Sequence, residues 1–194
     1  MTQKSPPKNA SPLLILLIGV VCFGISLSLV LPHLFGNQYQ KYERVASTMA
    51  PLATGTGVLN ATIYHPDTTE PHPIVLLWGD GSNHPWNWEL PRKWFPSAPS
   101  KTELVALLTR EPSVAVETCY YVSTTVTRYR NDLTVVVREA RTGQILASNT
   151  FRGDAPMSCP GSIPMGQTRI DGSLVALELV VAWLCPFVQG VDCP

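Results

Sequence analysis

The sequence predicts an α+β protein: an N-terminal transmembrane helix, a mainly antiparallel β-sheet domain outside the cytoplasm, and a C-terminal amphipathic helix. Three observations support this prediction. Residues 13–31 are apolar or small and contain no charge. Residues 114–151 are rich in β-branched and aromatic residues. Residues 174–184 repeat leucine and valine at helical spacing.

The charge-free run at residues 13–31 is long enough to cross a bilayer. At about 1.5 Å of rise per residue, a helix over it approaches the ~30 Å hydrocarbon core. A cleaved signal peptide has a shorter core of about 7–15 residues and then a small-x-small cleavage site, whereas this run continues into residues 32–35 with no Ala-x-Ala pattern. We therefore expect a retained signal anchor over residues 13–35, after a cytoplasmic tail over residues 1–12. A cleaved signal peptide and a buried helix of a soluble domain are the alternatives.

The flanking charges predict the orientation of this anchor. Lys4 and Lys8 lie shortly before the run, whereas Lys41 and Arg44 follow it at a greater distance. Positively charged flanks stay on the cytoplasmic side. We therefore expect a single-pass cell-membrane protein that contacts the lipid bilayer through residues 13–35, with its N-terminus in the cytoplasm and its C-terminal domain outside.

Chain length and net charge restrict the number of domains that follow the anchor and the partners that they can bind. The 194 residues suggest one domain beside the anchor. Residues 36–57 have the composition of a stalk or linker, which leaves residues 58–194 as the extracytoplasmic β-rich domain. The formal net charge is zero and no basic stripe is present. Nucleic acid is therefore not an expected partner.

The chain contains five cysteines. Cys22 falls inside the apolar run and is expected to act as a small apolar residue there. The others lie on the predicted outer side, where an oxidising compartment favours two disulfides. From the residues alone, the three possible pairings stay open. These four cysteines are Cys119, Cys159, Cys185 and Cys193.

The first elements of the domain follow from local composition. Ile74–Trp78 is a short apolar run and predicts a strand. Gly79–Asn83 has turn residues throughout. His84–Pro99 combines tryptophans and prolines, which excludes a regular helix or a central strand. We expect this segment, the aromatic loop, to be irregular and packed against the domain.

The middle of the chain predicts further strands. Glu103–Arg110 favours a strand, with a helix as the alternative. Val114–Val126 and Arg128–Glu139 have extended patterns, the second with clear alternation. Gln144–Phe151 is predicted to return antiparallel to it through the tight turn Ala140–Gly143, whose glycine suits the left-handed position of a bulged hairpin.

A helix is expected at the end of the chain, after an irregular crossing at Gly153–Gly172. Ser173 suits an N-cap, and Pro186 is expected to end the helix. A second transmembrane span is the alternative, but the segment is short and carries Glu178. We expect an amphipathic helix that covers one face of the sheet.

A series of short motifs supports a family resemblance. They are LPxxW at Leu90–Trp94, CxY at Cys119–Tyr121, RYR at Arg128–Arg130, ARTG at Ala140–Gly143, FxG at Phe151–Gly153, CP at Cys159–Pro160 and WLxPFV at Trp183–Val188. Over Ile74–Val188 the chain resembles an uncharacterised bacterial module of envelope-associated proteins. The resemblance implies a domain boundary and a Cys119–Cys159 disulfide, but no activity. A Cys185–Cys193 bridge is a further expectation, and these two cysteines depart from the family pattern.

Motifs for catalysis and cofactor binding are missing from the sequence. All four histidines precede residue 85, so a serine–histidine–aspartate site would need a loop histidine to fold back. No glycine-rich phosphate loop and no metal-ligand spacing of a known type is present. We therefore predict no catalytic residue, no metal ligand and no cofactor.

The aromatic loop is the candidate for recognition. Trp86, Trp88 and Trp94 are predicted to bind a glycan or an envelope protein, because tryptophan dominates binding hot spots. The alternative is a satellite core beneath the loop. The sequence thus favours a membrane-anchored interaction module. A cell-envelope hydrolase with an unrecognised pair of carboxylates as acid and base is the second hypothesis.

Overall fold

The computed structural model describes residues 39–189. The chain divides into two units, one ending at Lys41 and one beginning at Tyr42, and every strand described here belongs to the second. The predicted tail and anchor, over residues 1–35, lie outside the described residues, as does Cys193. Between residues 39 and 189, no helix combines the length and the apolar character that a membrane crossing requires.

The strands of residues 39–189 form two sheets. They are β1 Ile74–Trp78, β2 Leu104–Arg110, β3 Val114–Tyr120, β4 Thr125–Arg130, β5 Leu133–Glu139, β6 Ile145–Phe151 and β7 Arg169–Asp171. Sheet A has the order β1–β2–β5–β6, and only its β1–β2 pair is parallel. Sheet B has the order β3–β4–β7, with β4 and β7 parallel. The α+β class with mostly antiparallel sheets is therefore confirmed.

Sheet A is covered on both faces, which explains the unbroken apolar run of β1. Ile74 and Leu76 pack into one core and Val75 and Leu77 into the other. The first core is closed by helix α2, Leu177–Gln189, and the second by helix α1, residues 39–49, with the 3-10 turn Ala50–Thr54 that follows it. The helix residues that face these cores are Val180, Leu184 and Val188 of α2, Val45, Ala46 and Met49 of α1, and Leu52 of the turn.

The second core corrects the predicted stalk. Val45 is 1% exposed, and Met49 and Leu52 are fully buried. These residues recur at helical spacing, and the small and polar residues between them gave the segment the composition of a linker. The part of the predicted stalk that begins at Tyr42 is therefore part of the domain.

Two predicted strands are divided differently in the structure. Val114–Val126 is broken after Tyr120, where the N–H of Tyr121 donates to the carbonyl of Thr124 at 2.9 Å and closes a turn. Arg128–Glu139 is broken at residues 131–132, where the chain passes from sheet B to sheet A. Asp132 fixes this crossing, because it accepts hydrogen bonds from Arg130 at 2.7 Å and from the N–H of Gly153 at 3.2 Å.

The predicted hairpin is confirmed. β5 and β6 pair antiparallel with a register shift next to Val137, as a bulged hairpin requires. Gly143 has φ +78°, and a Cβ there would lie 2.3 Å from the carbonyl oxygen of Gly55. Only glycine fits this close approach, so the turn also holds the start of the domain against sheet A.

The C-terminal helix differs from its predicted bounds. It begins at Leu177 and passes through Pro186 to Gln189. Pro186 lies in the last turn, so its missing N–H removes a single hydrogen bond near the helix end. Glu178 stands in the first turn, where a negative charge is favourable.

A disulfide joins Cys119 of β3 to Cys159, with a Cα–Cα distance of 5.7 Å. This is the pair that the resemblance implied, and it ties sheet B to the irregular segment after β6. Cys185 is fully buried and is also disulfide-bonded, to a partner outside the described residues. The Cys185–Cys193 bridge therefore stays a prediction.

Candidate ligand-binding cleft

The aromatic loop covers the edge of sheet A that is formed by β1. Its first part is a 3-10 helix, Pro85–Trp88, and the side chain of Asn87 within it is fully buried. The N–H of Leu76 donates to Asn87 Oδ1 at 2.9 Å, and Asn87 Nδ2 donates to the carbonyl of Leu76 at 2.7 Å. The N–H of Ile74 donates to the carbonyl of Trp94 at 2.7 Å. The loop therefore pairs with the free edge of β1 as a further strand would.

The three tryptophans predicted to bind a ligand have different environments. Trp94 is fully buried in the first core, so the prediction is wrong for this residue. Trp88 is 41% exposed and stacks on Tyr42, with ring centroids 4.3 Å apart. Trp86 is half-buried and lines a cleft. The loop is thus largely a satellite core, and only Trp86 takes part in the site described next.

This cleft has a volume of about 320 Å³ and lies at one end of sheet A. Strands β1 and β2 are parallel, so both end there, and the antiparallel β5 begins there. The walls are Trp78 at the end of β1, Arg110 at the end of β2, and Asp132 just before β5. The 3-10 helix adds Trp86, and Leu174 and Val175 before α2 complete the apolar lining.

A continuous aromatic wall runs through His84. Its ring lies 3.9 Å from the ring of Trp78 and 4.7 Å from that of Trp86, measured between centroids. His84 Nδ1 accepts a hydrogen bond from the N–H of Trp86 at 3.2 Å. Burial, and secondarily the positive charge of Arg110, lower the pKa of His84 to about 4. The imidazole is therefore neutral near pH 7 and holds Trp86 in place as an acceptor.

The mouth of the cleft carries charge of both signs. The guanidinium of Arg110 lies 5.0 Å from the ring centroid of Trp78, and no carboxylate of the described residues forms an ion pair with it. Asp132 is neutralised by Arg130, whose hydrogen bond holds the pKa of that carboxyl below its usual value. The arginine at the mouth is thus available to a ligand.

Sequence reasoning missed Arg110 and His84 as site residues. The signal for Arg110 was its place directly after the apolar run of β2, since residues at the ends of strands line clefts. The signal for His84 was its position in the sequence between Trp78 and Trp86, since a turn after β1 brings its ring into contact with both. Neither signal specifies which strands lie side by side. The cleft could therefore be recognised only once the order of the strands in sheet A was known.

No protein-family model, no curated protein and no solved structure matches this chain. The resemblance to an envelope-associated module therefore stays a prediction, and the cleft itself is the observation from which a function can be proposed.

Proposed function

We propose that this protein is a single-pass, membrane-anchored binding module whose cleft takes a sugar ring that bears an acidic group. In this proposal, residues 13–35 anchor the chain in the cell membrane and the domain faces the envelope. The single observation that carries the proposal is the wall formed by Trp78, His84 and Trp86 beside the guanidinium of Arg110.

The aromatic wall supports a ring-shaped ligand. Indole rings offer a flat apolar surface at low entropy cost, which suits the C–H face of a sugar. The volume of about 320 Å³ is at the lower end of ligand pockets, enough for one or two rings. His84 fixes Trp86, so this wall is ordered before a ligand arrives.

The charges at the mouth support an acidic substituent. Arginine binds carboxylates through two parallel hydrogen bonds, and Arg110 forms no ion pair with a described carboxylate. Glu111 and Asp132 also line the cleft, but Arg130 balances Asp132. A neutral sugar would leave the guanidinium of Arg110 without a charged partner. A ligand with a second acidic group would be repelled by the carboxylate of Glu111.

A calorimetric titration tests this proposal. Glucose and glucuronic acid are the probes, because they share one ring and differ in a single carboxylate. We expect glucuronic acid to bind more tightly, and Arg110→Gln to abolish the difference while weak binding of both sugars remains. Trp86→Ala should remove binding of both.

The control for charge is Arg141→Gln, which removes an exposed arginine in the β5–β6 turn and should leave both affinities unchanged. Equal affinity of the native protein for the two sugars would contradict the acidic-group part of the proposal. Binding that persists in Trp86→Ala would contradict the cleft as the site.

A further inference from the structure

A second cluster of polar side chains lies outside the cleft, around the buried His72. Its Nδ1 lies 2.6 Å from Glu103 Oε2, and its Nε2 lies 3.4 Å from Thr68 Oγ1. The histidine is 3% exposed, whereas Thr68 is at the surface. A hydroxyl, an imidazole and a carboxylate thus form one chain of contacts, in the order that serves nucleophilic catalysis on unrelated folds.

The parallel pairing of β1 with β2 brings His72 and Glu103 together. Ile74 of β1 is in register with Leu104 of β2, so the residues that precede the two strands lie side by side. The N–H of His72 donates to the carbonyl of Val188 in α2 at 2.7 Å. The ring of Tyr64 packs edge-on against the imidazole, with centroids 4.7 Å apart. The imidazole is therefore fixed from several sides.

The contact with Glu103 sets the direction of proton movement. A carboxylate can only accept, so Nδ1 carries the proton of the neutral ring and Nε2 presents its lone pair towards Thr68. The hydroxyl of Thr68 donates to the carbonyl of His65 at 3.2 Å, and in the reaction its proton turns from that carbonyl to His72 Nε2. Distances of this kind often shorten when a substrate binds.

An open depression of about 460 Å³ adjoins this chain of contacts, and both Thr68 and Glu103 line it. The N–H groups of Thr69 and Glu70, which follow Thr68 directly, donate to no acceptor among residues 39–189. The N–H of the residue after a nucleophile commonly binds the oxyanion of the intermediate. The depression therefore offers space and donors beside the hydroxyl.

We propose that Thr68, His72 and Glu103 form a hydrolytic site for short, uncharged acyl esters, independent of the ligand in the cleft. Thr68 Oγ1 attacks the carbonyl carbon and its proton passes to His72 Nε2. The tetrahedral intermediate then collapses, the C–O bond to the leaving alcohol breaks, and His72 returns the proton to that alcohol. Water, deprotonated by His72, next attacks the acyl-threonine and releases the acid, which restores the Thr68 hydroxyl.

The charges around the depression select the substrate class. Asp67, Glu70 and Glu103 all line it, so an anionic ester would be repelled. The residues that line it are mostly polar or charged, which suits a short acyl chain better than a long apolar one. Uncharged acetyl esters are therefore the substrates to test.

The test uses the full-length protein with p-nitrophenyl acetate. Thr68→Val removes the hydroxyl at nearly constant size and should lower the rate by about 10²-fold or more. Thr150→Val is the matched control, since this exposed threonine of β6 does not line the depression, and its rate should equal that of the native protein. Thr68→Ser should keep activity.

A second readout identifies the nucleophile. Peptide mapping by mass spectrometry after rapid acid quenching should locate the acetyl group on Thr68 in the native protein. Thermal melts of each variant separate loss of the hydroxyl from loss of the fold. Absence of turnover in the native protein, equal rates in Thr68→Val and native protein, or an acetyl group found only on lysine would each overturn the proposal.

Discussion

The side-chain amide of Asn87 forms hydrogen bonds with both main-chain polar groups of Leu76, at 2.9 and 2.7 Å. It thereby replaces one residue of a neighbouring strand at the free edge of β1. Exposed sheet edges invite pairing with other chains, and proteins cover them for that reason. The main role of the aromatic loop is therefore to close sheet A, and the cleft beside Trp86 depends on that closure.

Asn87→Ala should lower the free energy of unfolding by about 1–3 kcal/mol, because it leaves the buried N–H of Leu76 without a partner, whereas the carbonyl of Leu76 still accepts from the N–H of His84 at 3.2 Å. Urea denaturation measures the change. Asn60→Ala, at an exposed position, is the control and should cost much less. Similar urea midpoints for the two variants would show that water replaces Asn87 as the hydrogen-bond partner of Leu76 in β1.

Trp94→Ala and Trp88→Ala should differ strongly in stability. Trp94 is fully buried, so its truncation should cost about 3–5 kcal/mol. Trp88 is 41% exposed and stacks on Tyr42, so its loss should cost about 1 kcal/mol. Thermal melts of the two variants provide the comparison, and equal falls in Tm would argue against the burial described for Trp94.

His84 should make the domain less stable in acid. Its pKa is about 4 in the folded protein, against an ordinary value of 6.5. Between these values the unfolded chain binds a proton that the native state does not, so stability falls as the pH falls from 6.5 and this contribution is lost below about 4. Thermal melts across this range measure the effect, and NMR titration of the ring gives the folded pKa.

A pair of histidine variants isolates this effect. His84→Asn keeps an acceptor for the N–H of Trp86 and should flatten the pH dependence of Tm. The corresponding change at the exposed His65, His65→Asn, should leave that dependence as in the native protein. An NMR midpoint for His84 near 6.5 would refute the burial argument.

Removal of the Cys119–Cys159 disulfide should destabilise the domain. The bridge spans a sequence separation of 40, which corresponds to about 4 kcal/mol in the chain-entropy description. A double Cys→Ser variant, compared with the native protein in guanidinium, gives the difference. Non-reducing peptide mapping should find these two cysteines joined, and a free Cys119 would contradict the structure.

The membrane orientation is tested with a reporter that is active only outside the cytoplasm, fused after Pro194. Lys4 and Lys8 precede the apolar run, so we expect the reporter to be active. Val21→Arg should cost about 2.5–3.5 kcal/mol of insertion free energy and move the protein to the soluble fraction. An inactive fusion that remains in the membrane would reverse the proposed orientation.

Local patterns were sufficient for several elements. The β5–β6 hairpin follows from alternation and from Gly143, whose conformation few other residues can adopt. The strand Ile74–Trp78 follows from its unbroken apolar run. In these cases the residues that determine the structure lie close together in the sequence. The composition and the hydrophobic period of the segment are therefore sufficient to predict it.

Elements that depend on distant contacts were not predicted. The role of residues 42–49 depends on the second face of sheet A, which no local pattern reveals. The cleft depends on the parallel pairing of β1 with β2, which brings Arg110 beside Trp78. The burial of Trp94 could not be separated from exposure by sequence, since a tryptophan in a proline-rich loop suits both environments.

The packing of Val45, Met49 and Leu52 has a practical consequence for anyone who expresses this domain. A chain shortened to begin at Val58, the boundary that composition favours, would uncover the part of sheet A on which these residues pack. Such a fragment would present a continuous apolar surface to water and should aggregate during purification. A fragment that begins before Tyr42 keeps this face covered and is the form in which the domain should stay dispersed.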